Sequence, residues 1–377
     1  MNRRERLNNI LRGKIVDRPG VNFYEVGGFV VNPDDQDEFN IYNSASWRPL
    51  LDLAEAETDI IRMCFAKLSS SSNNPGDEYF SVEQVAENSA KFTKTTLRVS
   101  GKIMTSLTRV DKNIDTVWTL EHLCKSIDDL EAYLTLPDEV FGYQIDVNGL
   151  IEEEYRLGDK GIVMVDLADP LCMAAGLFSM ADFTIIAMTE KKLFNELLEK
   201  LAVTVYQRVE KISTAFSGHL WRIFGPEYAT PPYLPPDLFE EYVVKYDKKI
   251  VELIHKYNGY ARIHCHGKIR SILPLIITMG ADAIDPIEPP PQGDVELFDV
   301  RKEFGKDIVL FGNLEIADIE NLEPSGFEKV VKQTLKDGTS GSGRGFVLMP
   351  SASPYGREIS KNTMDNYKCM INLLKQI

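Results

Sequence analysis

Two of the chain's five histidines, His264 and His266, stand two apart in the run Arg262-Ile263-His264-Cys265-His266-Gly267. The run reads as a strand, in which side chains alternate between faces. Both imidazoles then project to one face and Cys265 to the other. Two imidazoles so placed can hold one metal ion, and imidazole is a common ligand of zinc and other transition ions. The plain alternative is a pair of histidines satisfied by hydrogen bonds. A third ligand is expected from Glu288, which closes the next apolar run ahead of Pro289-Pro290-Pro291, where the prolines fix the backbone. Two histidines and one carboxylate with an open position form a reactive site for zinc or ferrous iron. Glu227, in Gly225-Pro226-Glu227-Tyr228, is expected as a general acid/base or substrate anchor, with a solvated loop residue as the alternative; Tyr228 beside it is assigned to substrate. Arg222 and Arg262 need anionic partners if buried. A barrel carboxylate such as Asp285 is the favoured partner, a substrate carboxylate the other. Asp294 is expected to cap a helix.

Elements of regular spacing must position these residues. Short apolar runs occupy residues 21–26, 59–65, 161–167, 219–225, 260–267, 281–288, 307–312 and 346–351. From 161 onward they alternate with helical segments at 190–216, 236–257, 268–279 and 327–336, which implies βαβ units and parallel pairing. The expected fold is α/β, a (β/α)8 TIM barrel forming a single domain over residues 1–377, with its chemistry at the C-terminal ends of the strands. The polar residues there are Glu25, Asp166, Asp169, Glu227, His264, His266, Asp285, Glu288, Asn313, Glu315 and Ser351. Residues 88–118 read as a β-meander around Ser100-Gly101, inserted after the second strand as a lid or wall. Residues 3–12 read as a short helix, and 69–74 and 338–345 as flexible loops.

The net charge is −15. That argues against a broad nucleic-acid surface, which needs clustered lysine and arginine. The five cysteines are scattered, with no CxxC pair, which fits a reducing compartment. No run of about 18 apolar residues is present, and the charged N-terminus lacks an apolar signal core. A cytoplasmic protein is expected. No GxGxxG, Walker A, HExxH or GxSxG motif occurs.

Four passages together resemble the uroporphyrinogen decarboxylase superfamily, which includes corrinoid-dependent methyltransferases. They are Arg4-Glu5-Arg6-Leu7 with Gly13-Lys14-Ile15-Val16-Asp17-Arg18-Pro19; residues 225–232 and the helix after them; residues 262–267 followed by Gly280-Ala281-Asp282-Ala283; and Phe304-Gly305-Lys306-Asp307 through Gly312-Asn313-Leu314. The methyltransferase branch has a His-x-Cys zinc motif at a strand end. His264 matches its histidine, and His266 stands where its cysteine would be. Glu288 falls where the similar barrel of cobalamin-independent methionine synthase has a zinc-binding glutamate. The branch's last cysteine ligand is missing from Met349-Pro350-Ser351-Ala352-Ser353-Pro354. Imidazoles in place of thiolates leave the ion a stronger Lewis acid, open to oxygen as well as thiol substrates.

The resemblance implies a zinc-dependent methyltransferase that moves a methyl group between a small substrate and a corrinoid. No Asp-x-His-x-x-Gly motif is present, so the corrinoid would come on a separate protein. His264, His266 and Glu288 would hold zinc, Glu227 would position or deprotonate substrate, and Asp285 and Asn313 would line the barrel mouth. A homodimer is the family expectation. A metal-free decarboxylase of a tetrapyrrole or smaller acid is the alternative. It is disfavoured because Glu25-Val26-Gly27-Gly28-Phe29 replaces the decarboxylases' arginine-rich motif, and Met63-Cys64-Phe65-Ala66-Lys67 the position of their aspartate. A barrel that binds a ligand without catalysis is the third reading.

Overall fold

The short apolar runs become eight parallel strands of one sheet. They are β1 (Gly20–Val21), β2 (Ile60–Cys64), β3 (Gly161–Ala168), β4 (Leu220–Phe224), β5 (Tyr260–His264), β6 (Ala283–Asp285), β7 (Val309–Leu314) and β8 (Phe346–Pro350). Each pairs with its neighbour in chain order from β2 to β8, and β1 pairs with β8. The Asp59 amide donates to the Val21 carbonyl at 2.7 Å and the Met63 amide to Gly28 at 2.8 Å, bridging β1 and β2. The result is a curled, barrel-like parallel α/β sheet with helices outside it. The computed structural model describes residues 1–32, 35–69, 75–141 and 144–377. The expected loop at 69–74 lies outside them except for Ser69. Among the described residues no helix is long and apolar enough to cross a membrane.

Three strands are shorter than their apolar runs by three residues or more, for local reasons. β1 stops at Val21 because the Asn22 side chain accepts the Tyr24 amide at 2.8 Å, and Tyr24 turns into the left-handed region at φ 59°. β6 stops at Asp285 because Pro286 has no N–H for the ladder. β5 ends at His264, yet the Cys265 amide still donates to the Asp285 carbonyl at 2.9 Å, which carries the extended path one residue further.

Inside the barrel the side chains form layers. Ile61, Met63, Ile162, Met164, Leu220, Ala283, Val309, Phe311, Val347 and Met349 make one apolar cluster with Leu7, Ile10 and Leu11. The last three come from the N-terminal helix Arg3–Leu11, which plugs the end of the barrel away from the site. Asn2 caps that helix. It accepts the Glu5 amide at 2.8 Å, while Glu5 returns to the Asn2 amide at 3.0 Å. An Asn2→Ala variant is expected to lose about 1 kcal/mol, read as a lower urea midpoint with an unchanged slope.

Outside the barrel, helix Lys191–Ala215 buries Phe194, Leu197, Leu198, Leu201, Val205, Val209 and Ile212 at three- and four-residue spacing. The segment 338–345 is held by Arg301, whose guanidinium donates to the carbonyls of Ser340 at 3.1 Å and Gly345 at 3.3 Å.

Between β2 and β3 the chain builds a separate antiparallel sheet of four strands, Phe80–Glu87, Ala90–Val99, Lys102–Asp111 and Val117–Glu121. It extends beyond residues 88–118 at both ends. Its middle hairpin turns at Ser100 (φ 48°) and Gly101 (φ 76°), a two-residue loop with both residues left-handed. The far turn is tied to the loop after β8: the Asp115 amide donates to Tyr355 at 3.1 Å, and the Arg357 amide to Asn113 at 3.0 Å.

Candidate active site

Strand register sets the polar layer. Asp166, Arg222 and Arg262 stand opposite one another across β3, β4 and β5, and His264 stands opposite Asp285 two residues further on. All face inward by the same alternation that buries the apolar layer. Burying these charges costs several kcal/mol each unless they are paired, and they are. Arg222 grips Asp166 through two bonds of 2.6 and 2.8 Å, and its third arm meets the Tyr24 hydroxyl. Arg262 sets its Nε 2.9 Å from Asp285 and lays its plane 5.0 Å from the Phe311 ring. The 2.9 Å contact is misaligned for a hydrogen bond, so charge proximity is what links Arg262 to Asp285.

Arg222 and Arg262, for which a substrate carboxylate was the other expected partner, therefore face the barrel carboxylates that the sequence favoured, because the apolar walls leave them no solvent. Asp285, expected at the mouth, is fully buried below it. One oxygen faces Arg262 and the other meets His264 Nδ1 at 2.8 Å. Burial would raise its pKa, but Arg262 and His264 outweigh that and hold it at about 2. Asp285 thus meets His264 and does not border the cavity at the mouth. Burial lowers the His264 pKa against the pull of Asp285, so the ring is neutral. Its proton belongs on Nδ1, facing the carboxylate, with the Nε2 lone pair directed away.

His266 repeats the pattern at the surface of the mouth. Its Nδ1 is 2.8 Å from Glu288 Oε1, while Glu288 Oε2 accepts the Gly267 amide at 2.7 Å. Gly267 makes this possible with φ 88°, a conformation that a side chain would strain. Burial opposes protonation of His266, but the Glu288 bond and charge outweigh it and raise its pKa; Glu288 is lowered correspondingly against its own burial. The two imidazole centroids lie 4.6 Å apart with planes at 86°. Tyr24 stacks on His264 at 6.0 Å. Cys265, between the histidines, is buried in the outer core.

His266, Glu288, Glu227 and Tyr228 border one cavity of about 450 Å3, shared with Met180, Thr230 and Tyr233. Glu227 closes its own turn by accepting the Gly225 amide at 2.9 Å. Burial pushes the Tyr228 hydroxyl up to about 12, so it stays protonated. Asn313 ends β7 but borders a different cavity, beside helices Leu297–Phe304 and Pro324–Gly338. Among the described residues no three His, Cys, Asp or Glu side chains converge on a point where a metal could sit. Glu288 has both oxygens engaged, so what the structure presents is two imidazole Nε2 atoms, each ring steadied by a carboxylate. A carboxylate behind the ring is also how metal-binding histidines are commonly supported.

Sequence reasoning missed Tyr24 and Asp247, the buried partner of the strand-end candidate Asp169. Asp169 caps the helix Pro170–Ala175 and faces Asp247 of the helix Lys245–Lys256. Asp169 Oδ2 and both Asp247 oxygens are sealed without another partner among the described residues. Two such carboxyls are tolerable only if they share a proton. Burial raises both, Asp247 to about 8; Asp247 and Glu227 push Asp169 further up, while for Asp247 the bond to Asp169 works against burial and Glu227. The signal was Asp247's place on the apolar stripe of its helix, between Val243 and Val251. An acid that holds its proton more tightly when folded loses stability as pH rises. The window runs from the unfolded value near 4 up to about 8, and the curve levels off above it. Wild-type urea midpoints should fall from pH 5 to pH 8, and Asp247→Asn should make that fall shallower; equal slopes would contradict the shared proton.

The fold agrees with comparisons to known proteins. A methyltransferase from Methanosarcina mazei matches over 100% of this chain and 99% of its own, with a TM-score of 0.59 and 14% identity, which supports the fold. D-psicose 3-epimerase matches over 61% of this chain and 92% of its own at a TM-score of 0.33 and 9% identity, from which nothing follows. No curated protein matches. The family model for uroporphyrinogen decarboxylase matches residues 113–376, which hold β3 to β8 and every histidine and carboxylate described above for the site. The chain belongs to the uroporphyrinogen decarboxylase family.

Proposed function

We propose that this chain is a methyltransferase of the uroporphyrinogen decarboxylase family that moves a methyl group between a small substrate and a corrinoid on a separate protein. The observation that carries the reading is the pair of carboxylate-steadied imidazoles at the mouth, His264 with Asp285 and His266 with Glu288. Both Nε2 atoms are without a partner among the described residues, and neutral imidazole nitrogen fits zinc. His264 and His266 would hold the ion. Glu288, read from sequence as a third ligand, would instead hold His266. Zinc would supply a Lewis acid that lowers the pKa of a bound thiol or hydroxyl. The protein's own part is to keep His264 neutral by burial, to fix its tautomer through Asp285, to orient His266 through Glu288, and to shield the reacting group in the cavity beside Tyr228 and Tyr233. The match to a methyltransferase structure agrees with this reading.

Decarboxylation of a tetrapyrrole finds less support. Such a substrate needs unpaired cations at the mouth, and Arg222 and Arg262 are committed to Asp166 and Asp285. The test is methyl transfer from free methylcobalamin to 2-mercaptoethanol, followed by the corrinoid spectrum, in zinc-loaded and zinc-stripped protein. Zinc-dependent demethylation of the corrinoid is expected. Turnover of uroporphyrinogen by stripped protein, with no methyl transfer, would replace this reading with the decarboxylase.

A further inference from the structure

Glu315 is a buried acid at the mouth that neither the histidine pair nor the salt-bridge network uses. It directly follows β7, and its side chain meets Ser351 just past the end of β8. The residue is 8% exposed. Its Oε1 is sealed with no hydrogen-bond partner among the described residues, and its Oε2 receives only the Ser351 hydroxyl, at a long 3.4 Å. The same Ser351 oxygen accepts the Ile316 amide at 3.2 Å, which ties the end of β8 to Glu315. No lysine or arginine pairs with Glu315 among the described residues. The charged groups that face it are Glu288 and Asp318, which oppose its ionisation, and His266, which favours it. Burial adds to the two carboxylates and brings the acid to about 7, against the weaker pull of Ser351 and His266.

A sealed, unpaired carboxyl oxygen at the end of a barrel strand is expensive to keep. It has a use if a proton must come and go there. We propose that Glu315 takes the proton that a neutral thiol or hydroxyl acceptor must lose when it is methylated, and returns it in the reverse direction. The inference rests on the methyl-transfer reading above. In the forward direction the acceptor's S–H or O–H bond breaks and its proton passes to the Glu315 carboxylate. The pair of electrons left on sulfur or oxygen forms the new bond to the methyl carbon. The pair that held the methyl group stays with the corrinoid carrier. In reverse, Glu315 protonates the heteroatom as its bond to methyl breaks. Positioned proton transfer of this kind contributes roughly 100-fold or more.

The experiment compares wild type with Glu315→Gln, close to wild type in size, using methylcobalamin as donor and two acceptors. 2-Mercaptoethanol is protonated at neutral pH, whereas thiophenol is largely ionised and needs no base. The variant should lose roughly 100-fold in kcat with 2-mercaptoethanol at unchanged KM, and only a few-fold with thiophenol. Thermal melts confirm that the variant folds. A second readout needs no turnover: carbon NMR of protein carrying labelled glutamate should show a carboxyl titrating near pH 7 that is absent in Glu315→Gln. In Ser351→Ala that titration should move upward, because a hydrogen bond to the carboxylate is lost. An equal loss with both acceptors, or no such carboxyl in wild type, overturns the proposal while the methyl-transfer reading stands. No methyl transfer to either thiol by wild type overturns both.

Discussion

Asp285→Ala is expected to destabilise the protein by about 3–5 kcal/mol, among the largest effects of any single substitution at the site. The reason is the charge it leaves behind. Arg262 is 1% exposed, and none of its three guanidinium nitrogens has a well-aligned hydrogen-bond partner among the described residues. Asp285, 2.9 Å away, is what balances its charge. Without that carboxylate a full positive charge stays sealed beside Phe311. The same change frees His264 Nδ1, so the ring loses both its orientation and the tautomer that directs Nε2 outward. Asp285→Asn should be milder for packing and still costly for function, because a neutral amide neither balances Arg262 nor fixes the tautomer. Urea unfolding at pH 7 separates the outcomes. A loss under about 1 kcal/mol for Asp285→Ala would show that Arg262 finds water or Asp166 instead, and that the network is looser than its distances imply.

The contrast between Asp285 and Glu288 shows what sequence could and could not say. Parallel barrel strands, their order and the inward face of residues 262, 264 and 266 follow from periodicity, because one strand alternates whatever its neighbours do. The pairing of Arg262 with Asp285 was also within reach, since a buried arginine demands an anion. The level at which Asp285 and Glu288 stand was not. It depends on where Pro286 ends β6 and on the bend through Ile287, at φ 59°, which lifts Glu288 to the mouth. Nor does spacing tell a ligand from the residue that holds a ligand. Glu288 is at the right place for either, and spacing could not show the two bonds it makes, to His266 and to the Gly267 amide. Tyr24 was hidden for a different reason: its turn comes from the Asn22 side chain, where the apolar run had suggested more strand. The first strand of the inserted sheet, Phe80–Glu87, escaped because most of its side chains face solvent on both sides and leave no alternation to read.

The second large effect separates holder from ligand. If His264 and His266 bind zinc through Nε2, then His266→Ala should abolish tight zinc binding, since one imidazole cannot retain the ion. Glu288→Gln should keep the ion but weaken it by about 10–100-fold, the usual cost of removing a carboxylate behind a metal-binding histidine. A competition titration with a chromophoric chelator measures both. Methyl transfer should fall with the metal in the first variant and be restored by added zinc in the second. A Glu288→Gln protein that binds no zinc at all would return Glu288 to the ligand set. Unchanged affinity in His266→Ala would remove the histidine pair from the metal site altogether.

The claim on which the rest depends is that this mouth holds a metal. Mass spectrometry of metal content, on protein purified without chelator beside His264→Ala prepared in the same way, tests it most directly. The paired imidazoles predict about one zinc per chain in wild type and little in the variant. Wild-type protein free of metal, or a variant that retains as much zinc as wild type, would contradict the zinc-dependent methyl transfer proposed here.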